Sequence, residues 1–237
     1  MASDAISRIQ RALRDKGCDP GEIDGLWGRK TIAAVMRFQQ QAGLEADGVV
    51  GPLTSKALFG DAPAASTPMA NSGAVLTWFE EAKRLIGTKE IGGSMSNPTI
   101  LDWAANLDIS YPNDDIPWCG LFVAHCIGST LPGEPLPSNP LGARNWRNFG
   151  DPTDPRLGAV LVFWRGSREG FQGHVGFYNG ENANAYQVLG GNQSNSVSLA
   201  WVAKDRLLGA RWPHSARSLT SKTVQQQQNG GLSTNEA

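Results

Sequence analysis

Three polar side chains sit in settings suited to nucleophilic chemistry. Cys119 lies in IPWCGLFV at 116–123, where Pro117 marks a helix start. A thiol in a first helical turn faces unpaired amides and the positive end of the helix dipole, which favour the thiolate. The competing reading of a lone cysteine is a buried core residue. His174 lies in GHVGFY at 173–178, a short strand with glycines on both sides. A strand holds an imidazole rigidly, as a general base requires, and the glycines admit another element or a substrate. The chain has three histidines. His125 follows Cys119 on the same expected helix but points to another face, and His214 lies at the domain edge, which leaves His174 as the base. Asn192 ends the next strand in LGGNQ at 189–193. Its amide oxygen would fix the imidazole tautomer, as in Cys-His-Asn sites. Gln193 is the rival for that role.

Other chemistries are less well supported. Glu90 with Asp102 or Asp108 would be a glycosidase-type carboxylate pair, but these residues also suit solvated helix ends. Cys119, His125, Cys126 and His174 do not follow a zinc-ligand spacing. There is no phosphate-binding glycine loop with its Lys-Ser/Thr. Cys18, Cys119 and Cys126 make an odd set rather than a disulfide framework. On one helix, Cys119 and Cys126 would stand about 10 Å apart, too far to bridge.

Elements must bring these residues together. Leu76, Phe79, Lys83 and Ile86 mark one helical face, and Ile100, Trp103, Ala104 and Leu107 another. Residues 118–127 form a third helix. Residues 159–164, 174–178, 185–189, 196–202 and 207–212 alternate or are β-branched. Helices followed by closely connected strands predict an α+β domain with an antiparallel sheet at 74–214.

A smaller unit precedes it at 1–60. Ile6, Ile9 and Leu13 predict a helix over 3–16, Ile32, Val35 and Phe38 a second, and Pro52 starts a third that runs through Leu58. The segment DGLWGRKT at 24–31 is echoed by DGVVGPLT at 47–54. Residues 61–73 are rich in Ala, Pro, Ser and Gly and read as a flexible linker. Residues 215–237 contain a four-glutamine run and little apolar material, and read as a disordered tail.

Composition narrows the partners. The 237 residues include 21 Lys and Arg against 22 Asp and Glu, a formal charge of −1. That balance argues against a general nucleic-acid or anionic-membrane binder. The 40% hydrophobic content supports a core, and the chain has no apolar run of membrane-spanning length. The start of the chain lacks a basic segment followed by an apolar stretch, so no ordinary secretory signal is expected.

Longer patterns carry a resemblance. I-x-x-I-Q-x-x-L, then G-x-I-D-G-x-x-G-x-x-T-x-x-A-V-x-x-F-Q, then G-L-x-x-D-G-V-V-G-P-x-T, over Ile6 to Leu58, resembles the peptidoglycan-binding domain of cell-wall enzymes. Trp27 there is either a stacking residue for the wall or a side chain packed under the turn. WCGLFV, VLVFW, GHVGFYNG, VLGGNQ and the closing GARWP together resemble the NlpC/P60–CHAP superfamily of papain-like cell-wall cysteine peptidases and amidases. The nearest branch is that of phage lysis proteins. Many members have Asp-Cys-Ser where this chain has Trp118-Cys119-Gly120, and Gly-Asp where it has Gly158-Ala159.

The resemblance implies Cys119 as nucleophile, His174 as base and Asn192 as third residue. The Cys119 amide would serve the oxyanion hole, and Trp118, and with it Trp103 and Trp146, would either line the substrate groove or pack in the core. It implies an endolysin-like peptidoglycan hydrolase cutting a stem-peptide amide, as N-acetylmuramoyl-L-alanine amidase or as endopeptidase. The alternatives are a catalytically silent wall-binding or structural phage protein and a lysozyme-type glycosidase. No metal or cofactor is expected. The expected partner is bacterial peptidoglycan, with no nucleic acid, no membrane insertion and a monomeric state. The expected location is the producing cell's cytoplasm, with action on the wall after release.

Overall fold

The computed structural model describes residues 3–60, 75–92, 95–228 and 230–233. The expected linker at 61–73 lies outside the described residues.

The N-terminal unit contains α1 (Asp4–Asp15), α2 (Arg29–Gln41) and α3 (Pro52–Phe59). Ile6, Ile9, Leu13, Ile32, Val35, Phe38 and Leu58 form its core. The echoed segments are one hydrogen-bond device built twice. Gln10 Nε2 reaches Asp24 Oδ1 (2.9 Å), Leu26 O (3.1 Å) and Thr31 Oγ1 (3.2 Å), while Gly25 N donates to Gln10 Oε1 (2.9 Å). Gln39 Nε2 reaches Asp47 Oδ1 (2.7 Å), Val49 O (3.0 Å) and Thr54 Oγ1 (3.1 Å), while Gly48 N donates to Gln39 Oε1 (2.9 Å). Gly25 and Gly48 have φ of 72° and 73°, the left-handed region that glycine enters without a Cβ penalty. Each glutamine thus satisfies a turn that would otherwise bury its polar groups unpaired.

The second unit begins with α4 (Thr77–Arg84), α5 (Pro98–Ala105) and α6 (Cys119–Thr130). The α4 face differs from the expected one. The helix stops at Arg84, so Trp78, Phe79, Ala82 and Leu85 are buried, while Ile86 is 49% exposed. Asn97 caps α5 by accepting from Thr99 N at 2.9 Å, ahead of Pro98 in its first turn. Helix α6 is apolar on nearly every side, as a helix enclosed by neighbours must be.

Behind α6 stands a six-stranded antiparallel sheet of β1 (Asp151–Pro152), β2 (Val160–Trp164), β3 (Gly173–Glu181), β4 (Ala185–Gly190), β5 (Ser198–Ala203) and β6 (Leu207–Trp212), ordered β1-β6-β2-β3-β4-β5. The class is α+β, with helices preceding the sheet. Strands β2 and β3 are buried almost throughout and carry Val162 opposite Val175 and Phe163 opposite His174.

The expected disordered tail is instead folded over residues 215–228. Ala216 and Leu219 are buried, and Trp212 Nε1 donates to Ala216 O at 2.7 Å. Farther on, Glu181 N donates to Val224 O and Gln226 N to Glu181 O, both at 2.8 Å. Composition misled here because a polar strap needs few apolar anchors when its backbone bonds to the end of a strand, here β3 at Glu181. The two units touch directly. Val49 joins the second unit's core, and Gly48 and Gly51 lie against Pro132 and Ser218.

Candidate active site

Cys119 is the first residue of α6, with Trp118 as its N-cap. Gly120 follows because the loop before the sheet crosses at that point. A Cβ there would collide with the carbonyl oxygens of Pro140 and Leu141. The sulfur lies against the backbone amide of Val175, the residue after His174, and against the amides of Gly120 and Cys119 itself. Helix α6 and strand β3 therefore bring Cys119 to the histidine position.

Burial sets the thiol's state. Cys119 is 2% exposed, and desolvation pushes its pKa up. The three amides and the charge of Arg165 pull the other way and lose. The expectation of a thiol lowered by the helix end is thus corrected: removal from water outweighs the dipole.

His174 is fully buried. Its Nε2 lies 3.1 Å from Gln193 Oε1. The amide group of Gln193 is oriented by its other end, where Nε2 donates to Ser198 O at 2.5 Å. Its oxygen must then accept, so His174 Nε2 carries the proton and Nδ1 is the basic nitrogen.

The imidazole's partner is Gln193, not the favoured Asn192. Asn192 sits where the chain leaves β4, at φ 55°, and its Oδ1 is buried without a hydrogen-bond partner. Gln193 is one residue farther and one methylene longer, and it reaches back from a turn closed by Gln193 N to Ser196 O at 2.9 Å. The preceding glycines make room. A Cβ on Gly190 would stand 2.9 Å from both His174 Nε2 and Gln193 Oε1, and one on Gly191 would strike Phe122 and Trp118.

Trp118 does not line a groove. It is fully buried beneath Gly191, its ring is 6.1 Å from Trp103, and its Nε1 donates to Glu90 Oε2 at 3.2 Å. Trp103 and Trp146 are also buried. The indoles build the floor on which the site stands. Glu90 is occupied by the Trp118 bond. His125 bonds Glu81 Oε1 at 3.1 Å and stacks on Trp103 at 5.1 Å, and His214 lies 3.0 Å from Asp151 Oδ1. Among the described residues no three His, Cys, Asp or Glu side chains gather as a metal-holding group.

One supporting residue escaped the sequence reading. Asp114 is 1% exposed, and its Oδ2 accepts from Asn97 N (2.8 Å) and Ile91 N (3.2 Å), tying the segment after Glu90 beside the helix start. An aspartate in a polar run carries no signal of burial.

Comparison with known proteins bears on the N-terminal unit. A family model described as "Putative peptidoglycan binding domain" matches residues 2–58. A protein of Bacillus licheniformis named "Probable N-acetylmuramoyl-L-alanine amidase" is 47% identical over 60 residues, covering 23% of this chain and 17% of its own. An uncharacterized protein in the bpoA1 3′ region of Kitasatospora aureofaciens is 39% identical over 69 residues, covering 29% and 58%. The N-acetylmuramoyl-L-alanine amidase CwlM of Mycobacterium tuberculosis is 39% identical over 59 residues, covering 25% and 14%. The chain thus spans less than two thirds of each of these relatives. No solved structure matches it. Among the described residues no helix is long and apolar enough to cross a membrane.

Proposed function

We propose that the protein is a peptidoglycan hydrolase whose papain-like second unit cuts an amide of the wall's stem peptide. The observation that carries this reading is the His174–Gln193 bond, with the Cys119 sulfur at the next backbone amide of the same strand. The N-terminal family match and the relatives named as amidases supply the wall context. The segments shared with those relatives are about as long as the N-terminal unit, so the bond cut is inferred from the second unit's side chains.

In this reading Cys119 rests as a neutral thiol. His174 Nδ1 takes its proton as the sulfur attacks the amide carbonyl. The backbone amide of Cys119 donates to the oxyanion. The imidazolium then protonates the leaving amine, and the resulting neutral imidazole activates water to free the acyl group. Gln193 touches no reacting atom. It positions the imidazole and stabilises its charged form.

Burial of the thiol is also what an unreactive core cysteine shows, which favours the second reading of a silent wall-binding domain. Mass spectrometry of purified cell wall after digestion separates the readings. New amino termini without new reducing sugar ends support the amidase or endopeptidase, and their position names the bond. New reducing ends would indicate a glycosidase, and an unchanged wall a silent domain.

A further inference from the structure

The strand beside His174 brings a cation to the same end of the sheet. Phe163 stands opposite His174 and Trp164 opposite Gly173 in the β2–β3 ladder. Arg165 N carries the pairing one step farther by donating to Gln172 O at 3.1 Å. Side chains alternate along a strand, so Arg165 shares the face of Phe163 and His174, about 7 Å along the strand from that pair. Arg165 is half-buried, and its charge is felt at the Cys119 sulfur.

The loop that carries Arg165 is held in place. Residues 165–172 join β2 to β3. Arg144 lies just after Pro140 and Leu141, whose carbonyls cover Gly120 at the start of α6. It donates from Nε to Gln172 O, from Nη1 to Arg168 O and from Nη2 to Ser167 O, each at 2.8 Å. A Cβ on Gly173 would stand 2.8 Å from Phe163 O and 2.9 Å from Arg144 Cγ, so glycine there lets the arginine stem pass. Arg144 is thus spent on mounting the loop, and the mount fixes Arg165 relative to the thiol.

The other side of the thiol has the opposite sign. Glu90 and Asp114 precede α6. Glu90 Oε2 accepts from Trp118 Nε1 at 3.2 Å, and Asp114 Oδ2 accepts from the amides of Asn97 and Ile91. These neutral donors hold the carboxylates without cancelling their charge. An anionic group entering the site is repelled from that side and drawn to the β2–β3 side.

We propose that Arg165 is a specificity-determining residue whose guanidinium holds a free carboxylate of the peptide flanking the scissile amide, so that acidic peptides are the preferred substrates. The planar fork matches a carboxylate with two parallel hydrogen bonds. The proposal rests on the reading of Cys119 as the nucleophile, and it decides which peptide is cut rather than how.

Alkylation of Cys119 in the full chain reads the cation without any wall substrate. Iodoacetate and iodoacetamide attack the same thiolate, so the ratio of their rates cancels the thiolate fraction and leaves the effect of the reagent's charge. Peptide mapping follows Cys119 at about pH 8, with the uncharged thiol N-acetylcysteine amide as reference. The ratio should be about tenfold higher at Cys119 than for the reference and should fall about tenfold in Arg165→Gln, with Arg165→Lys keeping most of it. If Arg165→Gln misfolds by circular dichroism, the wild-type ratio against the reference decides. The second arm measures kcat and KM on a soluble muramoyl-peptide whose glutamyl residue has one carboxyl in the chain and the other free, and on the same compound with that carboxyl as carboxamide. Wild type should favour the acid about tenfold, mostly through KM, and Arg165→Gln should cut both alike. A wild-type ratio no higher than the reference, or unchanged in Arg165→Gln, would overturn the anion subsite and leave the hydrolase reading standing. A shifted ratio with equal cleavage of acid and carboxamide would overturn the assignment to substrate. Failure of wild type to cut either compound or sacculi would overturn the hydrolase reading and the substrate assignment with it.

Discussion

Asn192 and Gln193 are adjacent amides, and only the geometry of one turn separates their roles. The sequence narrows the choice to these two and favours Asn192, but the choice depends on where β4 ends. A residue at φ 55° turns its side chain away, and the next one returns to the imidazole. Gln193→Ala should therefore lower kcat by roughly ten- to hundredfold with KM nearly kept, since the tautomer loses its anchor. Asn192→Gly, which tolerates the left-handed backbone, should change kcat far less. Steady-state kinetics on a wall-peptide substrate checks both. Burial raises the Cys119 thiol, so the thiolate fraction at neutral pH falls rather than rises. Iodoacetamide labelling of Cys119, located by peptide mapping, should accelerate steadily between about pH 7 and 9. A plateau already reached below pH 7 would show a lowered thiol instead.

Between elements, pairs of polar residues decide what periodicity cannot. The helices and strands follow from apolar spacing, and the echo in 24–31 and 47–54 is visible in the sequence. The function of Gln10 and Gln39 is not, because a glutamine on a helix reads as solvated until its turn is folded over it. Both are 1% exposed. Gln10→Ala and Gln39→Ala should each cost about 2–3 kcal/mol in urea unfolding, since each strands a buried glycine amide. Glu81 ties α4 to α6 through His125. Burial alone would raise its pKa, but the hydrogen bonds from Arg84 and His125 win and lower it to about 2 from 4.5. A lowered carboxylate contributes stability above its unfolded value and loses it as pH falls through the folded one. Unfolding free energy should thus drop by up to about 3 kcal/mol between roughly pH 4.5 and 2. Glu81→Gln should flatten that limb in acid-denaturation curves.

Across the whole molecule, the tail was the part least legible in the sequence. Its glutamines and serines suggest disorder, yet residues 224–226 bond to the end of β3 at Glu181, and Leu219 is 1% exposed. Ser218 meets Gly51 of the N-terminal unit, so the strap also braces the contact between units. Leu219→Ala should cost about 2–4 kcal/mol, read as a lower urea midpoint. The α+β class and the segments carrying the site were legible because strands and helix starts announce themselves locally. Burial of Trp118 was not, since an indole ahead of a nucleophile looks alike on a groove wall and in a floor.

The central claim is that Cys119, served by His174, breaks an amide of the wall. Wild-type protein and Cys119→Ala, matched by circular dichroism, are each added to a suspension of purified sacculi and turbidity is followed. Wild type should clear the suspension, and the variant should clear it at a rate at least about a thousandfold lower. Equal clearing by two correctly folded proteins would contradict it.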